Sequence, residues 1–84
     1  MVRLTVRYFA GARAAAGVAD EDVELPGAPT VAQVLDAVRA RHGDGLARVL
    51  AACSFLVDGV AVRDHGVAVP SGAQVDVLPP FAGG

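Results

Sequence analysis

The chain of 84 residues ends in Pro79-Pro80-Phe81-Ala82-Gly83-Gly84, and these six residues have the types and spacing that admit chemistry. Two consecutive prolines stiffen the stretch, because each fixes φ and neither donates to a β-ladder. The closing Gly83-Gly84 has no Cβ, so its backbone fits a narrow slot on another surface. Six extended residues reach about 20 Å, at roughly 3.3 Å each. That length carries the terminal carboxylate of Gly84 deep into a partner enzyme. An α-carboxylate has a pKa of about 3.5, is ionised at neutral pH, and is a poor electrophile unaided. Activated by ATP as a mixed anhydride, its acyl carbon accepts a nucleophile such as sulfide sulfur. The competing reading is a terminus without chemistry, because chain ends are commonly untied and Gly is frequent here, at 10 of 84 residues.

Other reactive side chains have plainer readings. Cys53 stands among apolar neighbours at the start of a predicted strand and reads as a buried structural thiol. A persulfide role lacks a basic partner nearby in sequence. His42 and His65 each precede a glycine and read as helix-end or turn residues; no Cys/His/Asp spacing of a metal site is present. Asp20-Glu21-Asp22 reads as a solvated loop.

Composition narrows the function classes. A chain of 8.5 kDa buries about 60% of its unfolded surface, which makes one domain with one modest core. Little room is left for a private pocket, which favours a carrier or binding module over an autonomous enzyme. Hydrophobic residues at 54% exclude disorder. No apolar run approaches the ~18 residues of a membrane span. Net charge is −2 with no basic cluster, which argues against nucleic acid as a partner. All seven basic residues are Arg, so an activated C-terminus has no lysine of its own chain to acylate. Biased genome composition also produces that pattern. One Cys makes no internal disulfide, which fits a reducing, cytoplasmic compartment. Arg3, Arg7 and Arg13 without an acid in the first nineteen residues have the look of a transit peptide, but strand periodicity there argues against one.

The elements that position the tail follow from period. Val2, Leu4, Val6 and Tyr8 alternate with Arg3, Thr5 and Arg7, which predicts a half-buried strand. Gly11 and Gly17 bracket an alanine-rich run suited to a helical turn or two. Val23 and Leu25 alternate with Asp22 and Glu24 in a second strand that Pro26-Gly27 ends. Thr30 and Gln33 make a capping box before Val31, Val34, Leu35 and Val38, an apolar stripe at helical spacing. Arg39, Arg41 and His42 suit the helix end, and Gly43 its stop. Leu46, Val49 and Leu50 predict a shorter helix. Phe55 to Val57 and Val60 to Val62 flank an Asp58-Gly59 hairpin turn. After the Pro70-Ser71-Gly72 turn, Val75 and Val77 alternate with Gln74 and Asp76 in a last strand. A helix after a hairpin needs a sheet to cover. The simplest arrangement sets the first and last strands side by side and parallel, through a right-handed crossover. That is an α+β, ubiquitin-like β-grasp: a mixed sheet, one main helix packed across it, a domain over 1–78 and a projecting C-terminal tail over 79–84.

Three stretches carry a family resemblance. Tyr8-Phe9-Ala10-Gly11-Ala12-Arg13 with Gly17, Pro29-Thr30-Val31 at the helix start, and Asp76-Val77-Leu78-Pro79-Pro80-Phe81-Ala82-Gly83-Gly84 together resemble the ubiquitin-like sulfur carriers. Within them the pattern is most similar to the molybdopterin synthase small subunits (MoaD), related to ThiS. Ala14 stands where many members have Glu, and Phe81 where Val or Ile is frequent. The resemblance implies a cycle. An ATP-dependent activating enzyme adenylates Gly84, a sulfur donor replaces AMP to leave a thiocarboxylate, and the tail enters the large subunit of molybdopterin synthase. There the sulfur passes to the pterin precursor of molybdenum cofactor. Pro79, Pro80, Phe81, Ala82 and Gly83 are then the inserted stalk, and Arg13 docks a partner acid. Otherwise Arg13 is a surface side chain covering apolar surface with its stem. No cofactor is expected on this chain, which has no Gly-rich phosphate loop; ATP and Mg²⁺ belong to the activating partner. The alternatives are a sulfur carrier for cysteine or thiamine-thiazole synthesis, and a β-grasp interaction module whose Gly-Gly is inert.

Overall fold

The computed structural model describes residues 1–80. In chain order the elements are β1 (Val2–Tyr8), α1 (Ala10–Ala16), β2 (Asp20–Leu25), α2 (Val31–His42), α3 (Asp44–Leu50), β3 (Ser54–Val57), β4 (Val60–Val62) and β5 (Gln74–Leu78). The five strands form one sheet in the order β2-β1-β5-β3-β4. β1 and β5 run parallel at its centre, with Thr5 opposite Gln74 and Tyr8 opposite Val77. β2 pairs antiparallel with β1, and β3 pairs antiparallel with both β5 and β4. This is the mixed β-grasp sheet expected from the element order.

Strand alternation and the helical stripe meet in one core. Leu4, Val6, Tyr8, Val23, Phe55, Val75 and Val77 project from one sheet face. Val31, Val34, Leu35 and Val38 of α2, Leu46 and Leu50 of α3, and Ala12 of α1 pack onto them. Each such aliphatic side chain contributes about 1.5–3 kcal/mol on full burial. The capping box is present: Thr30 Oγ1 accepts from the Gln33 N–H at 3.2 Å, and Gln33 Oε1 accepts from the Thr30 N–H at 2.8 Å. Asp58 and Gly59 adopt φ of 49° and 81°, as a two-residue hairpin requires.

One expectation fails, in β2. Asp20, Glu21 and Asp22 are not a solvated loop; they are the first half of β2. Glu21 pairs opposite Val6 and shares the core-facing side with Val23. In β5, Asp76 alternates with Val75 and Val77 as expected, yet it is only 6% exposed. β5 is central, so neighbouring strands flank Asp76 on both sides, and Arg7 of β1 covers its carboxylate. Cys53 lies just before β3 and is half-buried.

Candidate functional site

Elements and backbone pairing locate the root of the tail. The N–H of Phe9 donates to the Val77 carbonyl at 3.2 Å, extending the β1–β5 ladder. On the other side Ser54 pairs with Leu78. The chain therefore leaves the middle of the sheet at Pro79 and Pro80, between the end of β1 and the start of β3. A proline after a central strand ends the ladder, because it offers no N–H. Phe81, Ala82, Gly83 and Gly84, on which the tail's chemistry was placed, lie outside the described residues.

The sheet face away from the helices carries a polar ladder that leads to this root. Arg3 Nη2 donates to Glu24 Oε1 at 2.8 Å, and Thr5 Oγ1 to Asp22 Oδ1 at 3.0 Å. Arg7 grips Asp76 with two bonds, Nε to Oδ1 at 2.8 Å and Nη2 to Oδ2 at 3.1 Å. Such a fork is geometrically specific as well as strong. The same guanidinium lies 5.3 Å from the centre of the Phe9 ring, a cation–π distance. Arg7 thus ties both central strands together one turn of ladder before the tail begins.

Arg13 stands apart from this network. It sits on α1, whose first residue Ala10 adopts a left-handed φ of 48°. That conformation costs a non-glycine residue about 1–2 kcal/mol and marks a junction held by its surroundings. An open cleft of ≈ 380 Å³ runs between α1 and the turn into β2, lined by Ala10, Arg13, Ala14, Gly17, Val18 and Ala19. Arg13 is the sole ionisable side chain of that lining, and among the described residues it makes no ion pair. A smaller adjoining cleft adds Arg7, Tyr8, Phe9 and Asp20 to its walls. The larger cleft is therefore lined by small residues and one unpaired cation, suited to an acidic group on a partner, while the smaller one carries both an acid and a second cation.

A second cluster escaped the sequence reading. Glu21 accepts three hydrogen bonds: from Tyr8 Oη at 2.5 Å, from Arg41 Nη1 at 2.8 Å and from His42 Nε2 at 2.5 Å. Arg41 also reaches the Asp22 carbonyl at 3.0 Å. Burial pushes the Glu21 carboxyl up, but the bonds from Tyr8, Arg41 and His42 outweigh it and hold the group below its ordinary value. Burial, and then the bond to Glu21, push the Tyr8 phenol well above its ordinary value, so it stays a donor. The cluster fastens the last turn of α2 to β1 and β2. His42 does stand at the helix end as expected, with its ring engaged by Glu21. The missed signal was period: Glu21, Val23 and Leu25 alternate, which extends the strand upstream onto the core side.

Cys53 donates from Sγ to the Val49 carbonyl at 3.1 Å, and burial pushes its thiol up. His65 lies edge-on to the Phe55 ring at 5.2 Å. Among the described residues no group of three or more His, Cys, Asp or Glu side chains could hold a metal ion. No described helix is long and apolar enough to cross a membrane.

Comparison with known proteins agrees with this architecture. The model of the ThiS family matches residues 6–84. No curated protein matches the chain. A Pyrococcus furiosus structure described as a molybdopterin converting factor, subunit 1, superposes with a TM-score of 0.87 at 28% identity, covering 96% of this chain and 100% of that one. The small archaeal modifier protein 1 of Haloferax volcanii gives 0.85 at 26% identity, over 96% and 100%. Subunit 1 in a complex of subunits 1 and 2 of the Helicobacter pylori molybdopterin-converting factor gives 0.73 at 18% identity, over 99% and 100%, a likeness of fold.

Proposed function

The chain belongs to the ThiS family, and from that premise we propose that it is a sulfur carrier acting as the small subunit of molybdopterin synthase. The observation that carries this reading is the exit of the chain from the central strand: β5 ends at Leu78, and Pro79-Pro80-Phe81-Ala82-Gly83-Gly84 follow directly. A carboxylate on a thin stalk leaving the sheet centre suits insertion into a partner's active site. In the proposed cycle a Gly84 carboxylate oxygen attacks the α-phosphorus of ATP and pyrophosphate leaves. The terminal sulfur of a persulfide donor then attacks the acyl carbon and displaces AMP, a far better leaving group than hydroxide. A second thiol of the donor system cleaves the S–S bond of the acyl disulfide so formed, becoming a disulfide with the donor's own sulfur. The resulting thiocarboxylate passes its sulfur to the pterin precursor of molybdenum cofactor.

This chain's own part is delivery. Pro79 and Pro80 aim the stalk, Phe81 and Ala82 contact the channel, and Gly83 passes its narrowest point. Arg13 meets an acidic group of the docked partner, while Arg7 and Asp76 keep the root rigid. ATP and Mg²⁺ belong to an adenylating enzyme, and catalytic acids and bases to the large subunit. The Helicobacter protein's assembly with subunit 2 supports a partner of that kind, as the Pyrococcus likeness supports the pathway. The working compartment is the reducing cytoplasm, where one unpaired Cys persists.

A second reading has its own support. The likeness to a small archaeal modifier protein favours transfer of the activated Gly84 to amines of other proteins. Both readings share the adenylate and part at the acceptor. Supplying the purified chain with ATP, an activating enzyme and a sulfur donor should replace one oxygen of Gly84 by sulfur, read by intact mass and fragmentation of the C-terminal peptide. Adding the large synthase subunit and pterin precursor should then restore the unmodified mass and form the dithiolene. A chain that stays unmodified under these conditions sinks the carrier reading; one that loads sulfur but passes it to no pterin sinks the molybdopterin assignment.

A further inference from the structure

We infer that the fold sorts the Asp-Gly dipeptides at 44–45 and 58–59 into an open and a shut site of covalent modification: succinimide closure is admitted at Asp44-Gly45 and blocked at Asp58-Gly59. Neither site belongs to the proposed sulfur chemistry.

The step needs no co-reactant but water. The Gly nitrogen attacks the Asp Cγ, a C–N bond forms, and the carboxyl OH leaves as water with the amide proton. Water then opens the ring at either carbonyl. Opening at the former main-chain carbonyl leaves isoaspartate, whose main chain runs through Cβ. Mass is unchanged and nothing is oxidised or reduced. Glycine favours the step because no Cβ shields its nitrogen. Closure needs that nitrogen eclipsed with the Asp Cβ about the Cα–C bond, which tetrahedral geometry at Cα sets at ψ of about −120°.

At Asp58 two features oppose that geometry. Val57 pairs with Val60, and φ of 49° and 81° at Asp58 and Gly59 make a type I′ turn. Its first central residue has ψ of about +30°, the mirror of type I, which turns the Gly59 nitrogen to the far side from Cβ. The carboxylate is also held elsewhere. Asp58 Oδ1 accepts from the Gln74 N–H at 2.9 Å, while the Asp58 N–H donates to the Gln74 carbonyl at 2.8 Å. This reciprocal pair continues the β3–β5 ladder beyond Val57 opposite Val75. Asp58 must leave β5 and undo its turn before Cγ meets Gly59, although water reaches it freely.

Asp44 has neither restraint. It is exposed and opens α3, directly after Gly43 at φ 83° breaks the run from α2. Among the described residues its carboxylate makes no ion pair and no hydrogen bond. The Gly45 N–H is among the first of its helix, which have no intrahelical acceptor, so the attacking nitrogen gives up no bond. A Cβ added at Gly45 would meet nothing within 4 Å, so the approach is open. Helical ψ of about −42° is nearer to closure than +30°. A helix of seven residues also frays from its ends, which samples the remaining rotation.

Trypsin separates the two sites, since cleavage after Arg41, Arg48 and Arg63 leaves Asp44 in peptide 42–48 and Asp58 in peptide 49–63. The full chain is aged at neutral pH, folded and in guanidinium. Isoaspartate in each peptide is read by methylation with an isoaspartyl methyltransferase and by chromatographic separation. Each folded rate is divided by the same site's rate in denaturant, which cancels sequence context. The ratio should stay near one at Asp44 and fall about tenfold or more at Asp58, the weight of one hydrogen bond to a charged group. Gln74→Pro removes the N–H that holds Asp58, at the first residue of a strand, where proline is tolerated. It should raise the Asp58 ratio about tenfold and leave Asp44 unchanged. Val60→Gly, at an edge position 68% exposed, loosens the same hairpin outside the core and should raise it about threefold. If the proline variant does not fold, Val60→Gly decides alone. An Asp58 ratio equal to that of Asp44 overturns the inference, whether both are high or both low. Folded variants that leave the Asp58 ratio at its native value overturn it as well, since neither Gln74 nor the hairpin would then be the gate.

Discussion

Glu21 and Arg13 both lie beside the end of β1, yet their charges are handled in opposite ways. Glu21 is almost enclosed and accepts from Tyr8, Arg41 and His42. Arg13 borders an open cleft and has no ion-pair partner among the described residues. A carboxylate with three donors has little capacity left for a ligand, and its removal strands the donors around it. A lone cation on an apolar rim contributes nothing to the fold and keeps its full capacity for a partner. The contrast separates groups that hold this molecule together from groups that present it. The tail belongs to the second kind by the chemistry proposed for it.

The largest expected effect falls on the presenting side. One alanine added after Gly84 should reduce thiocarboxylate formation to background, because the carboxylate moves past the activating site. Thermal unfolding should be unchanged, as the last buried core residue among the described residues is Val77. Gly83→Val should act in the same direction by steric exclusion. Full loading of either variant, measured by intact mass, breaks the assignment of the tail.

Next in size is Glu21→Ala on the holding side. It leaves the Tyr8 hydroxyl and the end of α2 without their acceptor and should cost about 2–3 kcal/mol in denaturant unfolding. Sulfur loading per folded molecule should persist. A loss below about 0.5 kcal/mol would place the cluster among ordinary surface ion pairs. Arg13→Glu should do the reverse, with stability kept and affinity for the acidic partner lowered about tenfold, or ~1.4 kcal/mol. Titration calorimetry against the large subunit and the activating enzyme reads which of them Arg13 meets.

The smallest effect is in pH. Glu21 is held below its ordinary value of 4.5, so its contribution to stability is complete above 4.5 and fades as pH falls through the lower folded value. Tyr8 is raised from 10.0, so its contribution is complete below 10 and declines as pH climbs beyond it. Glu21→Gln should flatten the acid limb of the midpoint-against-pH curve relative to wild type. An identical acid limb in the two proteins would move that stability to another carboxylate.

Much of this division was legible in the residues. The alternation in β1, the capping box at Thr30 and the Asp58-Gly59 turn each express short-range geometry, and all three are present. The parallel pairing of β1 with β5 followed because a helix between them leaves few unknotted routes. Glu21 was misplaced and the burial of Asp76 went unread for one shared reason. An acid within a strand reads as solvated by its type, whereas its burial depends on which side chains arrive from other strands and helices. Arg41 and His42 come to Glu21 from about twenty residues away, and Arg7 comes to Asp76 from the other end of the chain.

Local pattern was therefore enough for the elements and their order, since each depends on residues within a turn or a strand of one another. The satisfaction of Glu21 and the burial of Asp76 under Arg7 emerge only once the sheet is assembled. They are relations between groups distant in sequence, and a hydrogen bond or a buried surface exists only when both partners are in place.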